Sequence, residues 1–322
     1  MPSKELQNWS DVAMYPAAPV NAEGSHDGGV IRPVVTLVSM TPYPLRTMAA
    51  ASELYRGSVV RDPQGVMKET ALEWWRDMTK TRLQTPLEFI DLHFLFENVP
   101  RSFTHQLVRQ RTAAYVQESQ RFAVKEDASY GVSMPPSIEA LPEDHPARVR
   151  WHNAVVFIGD EYLSLVNEGI PAEDARGLLP TDILTKVHYK TNLRNLVEHA
   201  GNRLCTQAQF EWRVVWAAMI AAIRARGAEQ KRLSNRWEYD TIADIFRPIC
   251  YFTGKCEFMA ATDRYCSIRD RVENFHKAGV PSERWSDEKW GHPFTIRPQE
   301  WLLNPAAART TSLHWRQEGT TS

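Results

Sequence analysis

The sequence predicts an α+β fold, with a mixed or antiparallel sheet packed against helices, on three observations. Runs rich in β-branched and aromatic residues, "VVTLVSM", "FIDLHFLF" and "ILTKVHYK", stand far apart. Helical patterns fall between and after them without the regular alternation that a parallel βαβ sheet requires. Hydrophobic residues make up 43% of the 322 and charged residues 24%, the balance of a folded domain with a sizeable core.

In chain order, residues 1–30 are polar and end in "NAEGSHDGG". That composition buries too little apolar surface to order itself, so a flexible lead-in is expected. Residues 34–40 form a first strand, which Pro42 and Pro44 end in a turn, and a helical stretch follows through "LRTMAAASELY". Residues 89–96 read as a strand covered on both sides, with His93 packed inside it rather than acting as a ligand. Ser102 is placed to cap a short helix through "FTHQLVRQ", on which Gln106 and Arg109 are three apart and share a face. Arg111 stands at its exit, with Ser119 and Arg121 on a loop or extended segment beyond. "SMPPSIEALPEDHP" reads as a proline-rich connection across the surface, and helical signals resume from 149 to 166. Residues 183–190 alternate as a half-buried antiparallel strand does. Asn192 caps a helix that buries Leu193, Leu196, Val197, Ala200 and Leu204, with Arg194 and Arg203 off the centre of that stripe. A longer helix from about Gln207 to Arg226 is expected to pack through Phe210, Val214, Ala217, Ala218 and Ala221.

Charge and cysteine usage exclude several function classes. The net charge of -1 gives no global field to recruit nucleic acid, so any anion site has to be local. The longest apolar run, 214–223, is too short to span a bilayer, and no signal-peptide pattern opens the chain. Four cysteines in a chain of this length do not make a disulfide framework, and a reducing cytoplasmic setting is expected. Cys250, Cys256 and Cys266, with Asp263 nearby, match no standard zinc spacing, so no metal is expected. Phosphate-loop, nucleophile-elbow and metalloprotease signatures are absent.

One stretch stands out. "RQRTAAYVQESQRF" carries Arg109, Arg111 and Arg121 against a single acid, Glu118, with Ser119 between. Guanidinium forks and a hydroxyl suit phosphate oxygens and the polar edge of a pyrimidine. Read alone, the cluster fits an anion site and a structural ion-pair network equally well.

The motif Arg109-Gln110-Arg111, seven residues, then Ser119 resembles the signature of the flavin-dependent thymidylate synthases, which opens with Arg-His-Arg. Further blocks follow in that family's order. "TPLEF" is similar to its Ser/Thr-Pro-x-Glu-His, "RSFTHQLVRQR" to its helix, "EDARGLLP" to its Ala-Arg-x-x-Leu-Pro, and "NLRNLVEHAGNRLCTQAQFEWR" to its Asn-x-Arg helix, second arginine and Ala-Gln-x-Glu helix. Together these span about residues 34–225. The resemblance implies that family's fold and methyl transfer to dUMP with FAD, NADPH and methylenetetrahydrofolate, in a homotetramer whose sites combine several subunits. It implies that Gln106, Arg109, Ser119, Arg121, Arg176 and Arg203 bind the nucleotide, and that Thr85, Arg109, Arg111, Asn192 and Arg194 contact the flavin. Arg203 and Ser119 are then the residues that act on the reacting substrate. For Arg203 the alternative is an ion pair with Glu211 that braces two helices.

Four positions depart from the family pattern. Gln110 and Phe89 replace histidines, Leu83 stands where a histidine commonly precedes the Pro-x-Glu block, and Glu198 stands where Asn or His is usual. Glutamine donates a hydrogen bond but cannot become a cation, so flavin affinity, folate positioning or substrate choice is expected to differ at Gln110. The domain reading is a lead-in at 1–30, a catalytic domain at 31–279 with an insertion around 125–170, and an extension at 280–322.

Overall fold

The computed structural model describes residues 33–253 apart from 82, 130, 206–207 and 230–234, together with residue 277. The lead-in, the C-terminal extension and the Cys256, Cys266 and Asp263 group lie outside the described residues. Four strands, β1 (Val34–Met40), β2 (Asp91–Pro100), β3 (Ala114–Gln117) and β4 (Leu184–Asn192), form one sheet of order β1-β2-β4-β3, every pair antiparallel. Phe94 stands opposite Tyr189 and Phe96 opposite Val187, so alternation sends these four side chains to one face. A bulge between Phe96 and Val99 places Asn98 at φ 55°, a conformation that asparagine tolerates better than most residues. β2 is not covered on both sides: Leu92, Phe94 and Phe96 are buried, whereas Asp91 is exposed and His93 and Leu95 are half-buried. On the outer face His93 meets His188 of β4, Nε2 to Nδ1 at 2.9 Å.

Helices α1 (Pro44–Ser52), α2 (Lys68–Lys80), α3 (Arg101–Leu107), α4 (Pro146–Asn167), α5 (Leu193–Arg203), α6 (Phe210–Glu229) and α7 (Arg236–Ala243) supply the second layer, joined by shorter turns. The predicted start of α6 at Gln207 lies outside the described residues. Its packing face also differs from expectation, since Trp212, Val215, Trp216, Met219 and Ile223 are buried and the predicted residues are only half-buried. The indoles remove the larger apolar area from water and so set the orientation of the helix against the alanines. Trp212 packs on Phe103 and Trp216 on Phe246 within the main core.

Residues around 125–170 pack apart from that core. Tyr162 of α4 is fully buried with Ala128 and Ala175, and its hydroxyl accepts from the Lys125 backbone N–H at 3.1 Å. Gly159 lets α4 approach this segment, because a Cβ there would stand 2.3 Å from the Ser129 backbone. α1 opens with Tyr43 at φ 45° and Pro44 at its first position, and its cap comes from a distant helix. Glu238 of α7, fully buried, accepts from the backbone N–H groups of Leu45 and Arg46 at 2.8 and 3.2 Å.

Candidate active site

The site forms where β2 runs into α3. Pro100 ends the strand and α3 starts at Arg101, so Ser102 is not the cap; its hydroxyl donates to Asp182 Oδ1 at 2.6 Å. The helix also stops earlier than its pattern suggests. Tyr115 of β3 brings its hydroxyl to the carbonyls of Leu107 and Gln110, at 2.9 and 2.7 Å, which satisfies the helix end and leaves Arg109 in the turn beyond.

Gln106, at the end of α3, is the hub of one group. Its Oε1 accepts from Arg203 Nη1 at 2.9 Å and from Trp212 Nε1 at 3.0 Å, while its amide N–H donates to Gln209 Oε1. Gln209 in turn donates to the Ser102 hydroxyl. Arg203, the last residue of α5, stacks over the Trp212 ring at 4.9 Å and donates through Nε to His199 at 3.4 Å. Burial, and then the proximity of Arg109, lower its pKa from the usual arginine value. Burial and the Arg203 charge also depress His199, to about 4, so its ring is neutral and free to accept. Arg203 has no ion pair with Glu211 among the described residues.

A second group gathers at the start of α3. Arg121 holds Glu173 with two N–O contacts, 2.7 and 3.0 Å, and Arg176 donates from Nε to the Glu173 carbonyl at 3.0 Å. The Ser119 hydroxyl accepts the Arg121 backbone N–H. Five residues of helix, about 7.5 Å of rise, separate Arg101 from Gln106.

The third group flanks α5. Asn192 Oδ1 accepts from Asn195 N at 3.0 Å, the predicted cap, and Arg194 is salt-bridged to Glu88. Glu88 belongs to the turn Thr85–Phe89, whose end is tied to the helix by Leu193 N donating to Ile90 O. Thr85, Arg109 and Arg111 are exposed. Gln110, between the two arginines, faces inward, its Oε1 accepting from the Tyr189 hydroxyl at 2.7 Å and its Nε2 donating to Asn195 O at 3.4 Å. Phe89, Leu83 and Glu198 are exposed.

The structure thus brings Gln106, Arg109 and Arg203 together, gathers Ser119, Arg121 and Arg176 around Glu173, and places Thr85, Asn192 and Arg194 on one flank. Sequence reasoning passed over Arg101, His199, Gln209 and Trp212. All four lie inside the quoted motif blocks, but Gln209 and Trp212 find their partners on α3 more than a hundred residues away. Among the described residues no carboxylate stands within ion-pair distance of Arg109, Arg111, Arg176 or Arg203.

A family model described as "Thymidylate synthase complementing protein" matches residues 36–226, more than half of the chain. The chain belongs to this family. It is accordingly an enzyme of the flavin-dependent thymidylate synthase class. A Geobacter sulfurreducens protein named flavin-dependent thymidylate synthase is 31% identical over 194 residues, covering 59% of this chain and 82% of the relative. A relative of the same name from Pyrococcus horikoshii is 30% identical over 226 residues, covering 69% of this chain and 88% of its own length. Among solved structures, thymidylate synthase X from Helicobacter pylori with FAD and dUMP aligns at 17% identity and a TM-score of 0.49, over 66% of this chain and 99% of that one. A UMP/dUMP methylase, PolB from Streptomyces cacaoi, bound with 5-Br dUMP, aligns at 22% identity and a TM-score of 0.48, over 65% and 94%. Among the described residues no helix is long and apolar enough to cross a membrane.

Proposed function

We propose that this protein converts dUMP to dTMP by reductive methylation, with methylenetetrahydrofolate as carbon donor, FAD as hydride carrier and NADPH as reductant. It does so as a cytoplasmic homotetramer whose sites are shared between subunits. The observation that carries the reading is the set of guanidinium groups without carboxylate partners, which leaves positive charge for anionic ligands to neutralise. Arg176 and Ser119 hold the substrate phosphate together with Arg121, which is engaged by the Glu173 carboxylate and has to share its guanidinium with the ligand. Gln106 and Arg203, one amide and one fixed cation held together, read the polar edge of the uracil.

Those residues fit the flavin as well. Thr85, Arg109, Arg111, Asn192 and Arg194 would hold it, the arginines Arg109 and Arg111 supplying cations for its diphosphate, and when bound it supplies the hydride. The chain contributes charge stabilisation. Arg203 cannot swing away, because Gln106, His199 and the Trp212 ring hold it from three sides. A fixed cation stabilises negative charge that builds on the uracil ring without having to reorganise. Leu83, Phe89 and Val108, beside these residues, are 50%, 56% and 43% exposed, apolar surface of the kind that a neighbouring subunit would cover. The deciding experiment is spectroscopic. The purified protein should be yellow, dUMP should perturb its flavin absorbance, and dTMP should form from dUMP on addition of the two co-substrates. Colourless protein that fails to take up FAD would overturn the reading.

A further inference from the structure

Gln106 is held at both of its polar atoms, and the groups that hold it fix which way its amide points. Arg203 Nη1 and Trp212 Nε1 stand 2.9 and 3.0 Å from Gln106 Oε1, and both can only donate. The oxygen therefore lies on their side and the amide nitrogen on the side of Gln209, whose Oε1 accepts from it. That in turn orients Gln209. Its Nε2 donates to the Ser102 hydroxyl at 3.4 Å, and the hydroxyl proton goes on to Asp182 Oδ1 at 2.6 Å. The series thus begins with groups that only donate, an arginine and an indole, and ends on a carboxylate oxygen that accepts. Reversing either amide between them would set N–H against N–H or oxygen against oxygen.

At Gln106 this leaves one group for a ligand. Both lone pairs of Oε1 are taken and so is one of the two amide hydrogens, so the side chain has a single N–H left to offer. Arg203 beside it also only donates. We infer that Gln209, backed by Ser102 and Asp182, is a positioning residue that makes Gln106 a fixed hydrogen-bond donor, so that the site takes a pyrimidine presenting a carbonyl oxygen there and refuses one presenting an amino group. The inference rests on the proposed reading of the base by Gln106 and Arg203 and deepens it. An amino group would meet a donor that cannot turn over, and a polar group on each side would be left unpaired. The competing role is mechanical, in which Gln209 simply joins the start of α6 to α3. A joint supports every nucleotide alike, whereas a fixed amide orientation acts on the difference between two bases.

The test compares dUMP with dCMP, which carries an amino group in place of one ring carbonyl, by titrating each into the flavin-loaded oligomer and following the flavin absorbance. The parent should favour dUMP by about 100-fold or more. Gln209→Met keeps the side-chain length but gives Gln106 no strong acceptor, so the amide is free to turn and the dUMP preference should narrow by about 10-fold, the worth of one hydrogen bond. Gln209→Glu retains an acceptor for Gln106 and should retain the preference, whatever it does to both affinities together. An unchanged ratio in Gln209→Met would establish the mechanical joint and overturn the inference, as would an equal narrowing in Gln209→Glu or a parent that binds dCMP as tightly as dUMP. If Gln209→Met does not fold, Ser102→Ala decides: it removes the acceptor that orients Gln209, so a several-fold narrowing supports the inference and an unchanged ratio overturns it. Flavin-loaded parent that takes up neither nucleotide would instead defeat the nucleotide reading on which the inference stands.

Discussion

Arg203 and Gln106 make a pair of which only half was legible from the chain. Both appear in the motif blocks, and both were assigned to the nucleotide, but nothing local announces that Trp212 and Gln209 hold Gln106 from 106 and 103 residues away. Sequence reasoning finds residue types that suit a ligand; it does not find the groups that hold them still. Arg203→Ala should keep the fold and the flavin and lose dUMP-dependent turnover by about a hundredfold or more, the scale of removing one oxyanion donor. Melting temperature, flavin content and dTMP formation measured together check it, and near-normal turnover refutes it. His199 makes a second prediction. Burial, with Arg203 beside it, holds its pKa at about 4 in the folded chain, below the ~6.5 expected when unfolded. Between those values the unfolded state binds a proton that the folded state refuses. Its contribution is therefore complete above about pH 6.5 and is lost as pH falls toward 4, up to about 3 kcal/mol. His199→Phe, which keeps a planar ring of somewhat larger size and does not titrate, should flatten the fall of melting temperature across that window. An unchanged slope would show that the imidazole is not buried as described.

The elements were legible to different degrees, for reasons that their packing explains. β4 and α5 declared themselves, because strict alternation and then a Leu193-Leu196-Ala200 stripe each satisfy one period, and an asparagine caps the junction. α6 showed little helical contrast, since alanines, valines and tryptophans surround it, and its packing face was set by aromatic partners on other elements. Gln110 is the departure that most altered the expectations for the signature motif, and its element explains it. It fastens the turn after α3 to β4 and α5, through Tyr189 and the Asn195 carbonyl, and leaves Arg109 and Arg111 to face outward. Gln110→Ala should therefore destabilise by about 1–3 kcal/mol, by leaving the buried Tyr189 hydroxyl without its acceptor, while weakening anion binding much less than Arg109→Ala does. Gln110→His should be tolerated, and its failure to retain flavin would mean that the site is built differently at this turn. A similar long-range dependence holds α1 in place. Glu238→Ala removes the acceptor of two helix-end N–H groups, that of Leu45 buried and that of Arg46 partly so, at a cost of about 2 kcal/mol. Glu238→Gln keeps one acceptor oxygen and should lose less, which thermal melts of the two variants will compare.

At the scale of the whole molecule, the α+β class followed from a few runs of side chains, which left the sheet mixed or antiparallel where the structure has every pair antiparallel, but the completeness of the site is a question that the proposed oligomer raises. The residues proposed for the flavin stand on the outside: Thr85, Arg109 and Arg111 are exposed, and Leu83, Phe89 and Val108 present apolar surface beside them. A single chain that held a dinucleotide alone would need to enclose it, and the chain carries no glycine-rich dinucleotide loop to do so. Apolar area next to unpaired cations is better accounted for by a second subunit that covers the first and seals the ligand between them. Flavin retention should then depend on protein concentration, because dissociation of the oligomer opens the site. Dilution should release FAD in step with the loss of the higher-mass species, with flavin fluorescence and light scattering followed on the same samples. Excess FAD should shift the assembly midpoint to lower protein concentration, since a ligand that binds only the assembled form stabilises it by mass action. Val108→Glu, which introduces a charge into the apolar rim and leaves Arg109 and Arg111 in place, should weaken assembly and flavin binding together. Flavin that stays bound to a monomer at every dilution would place the whole cofactor site within one chain and remove the argument for sharing.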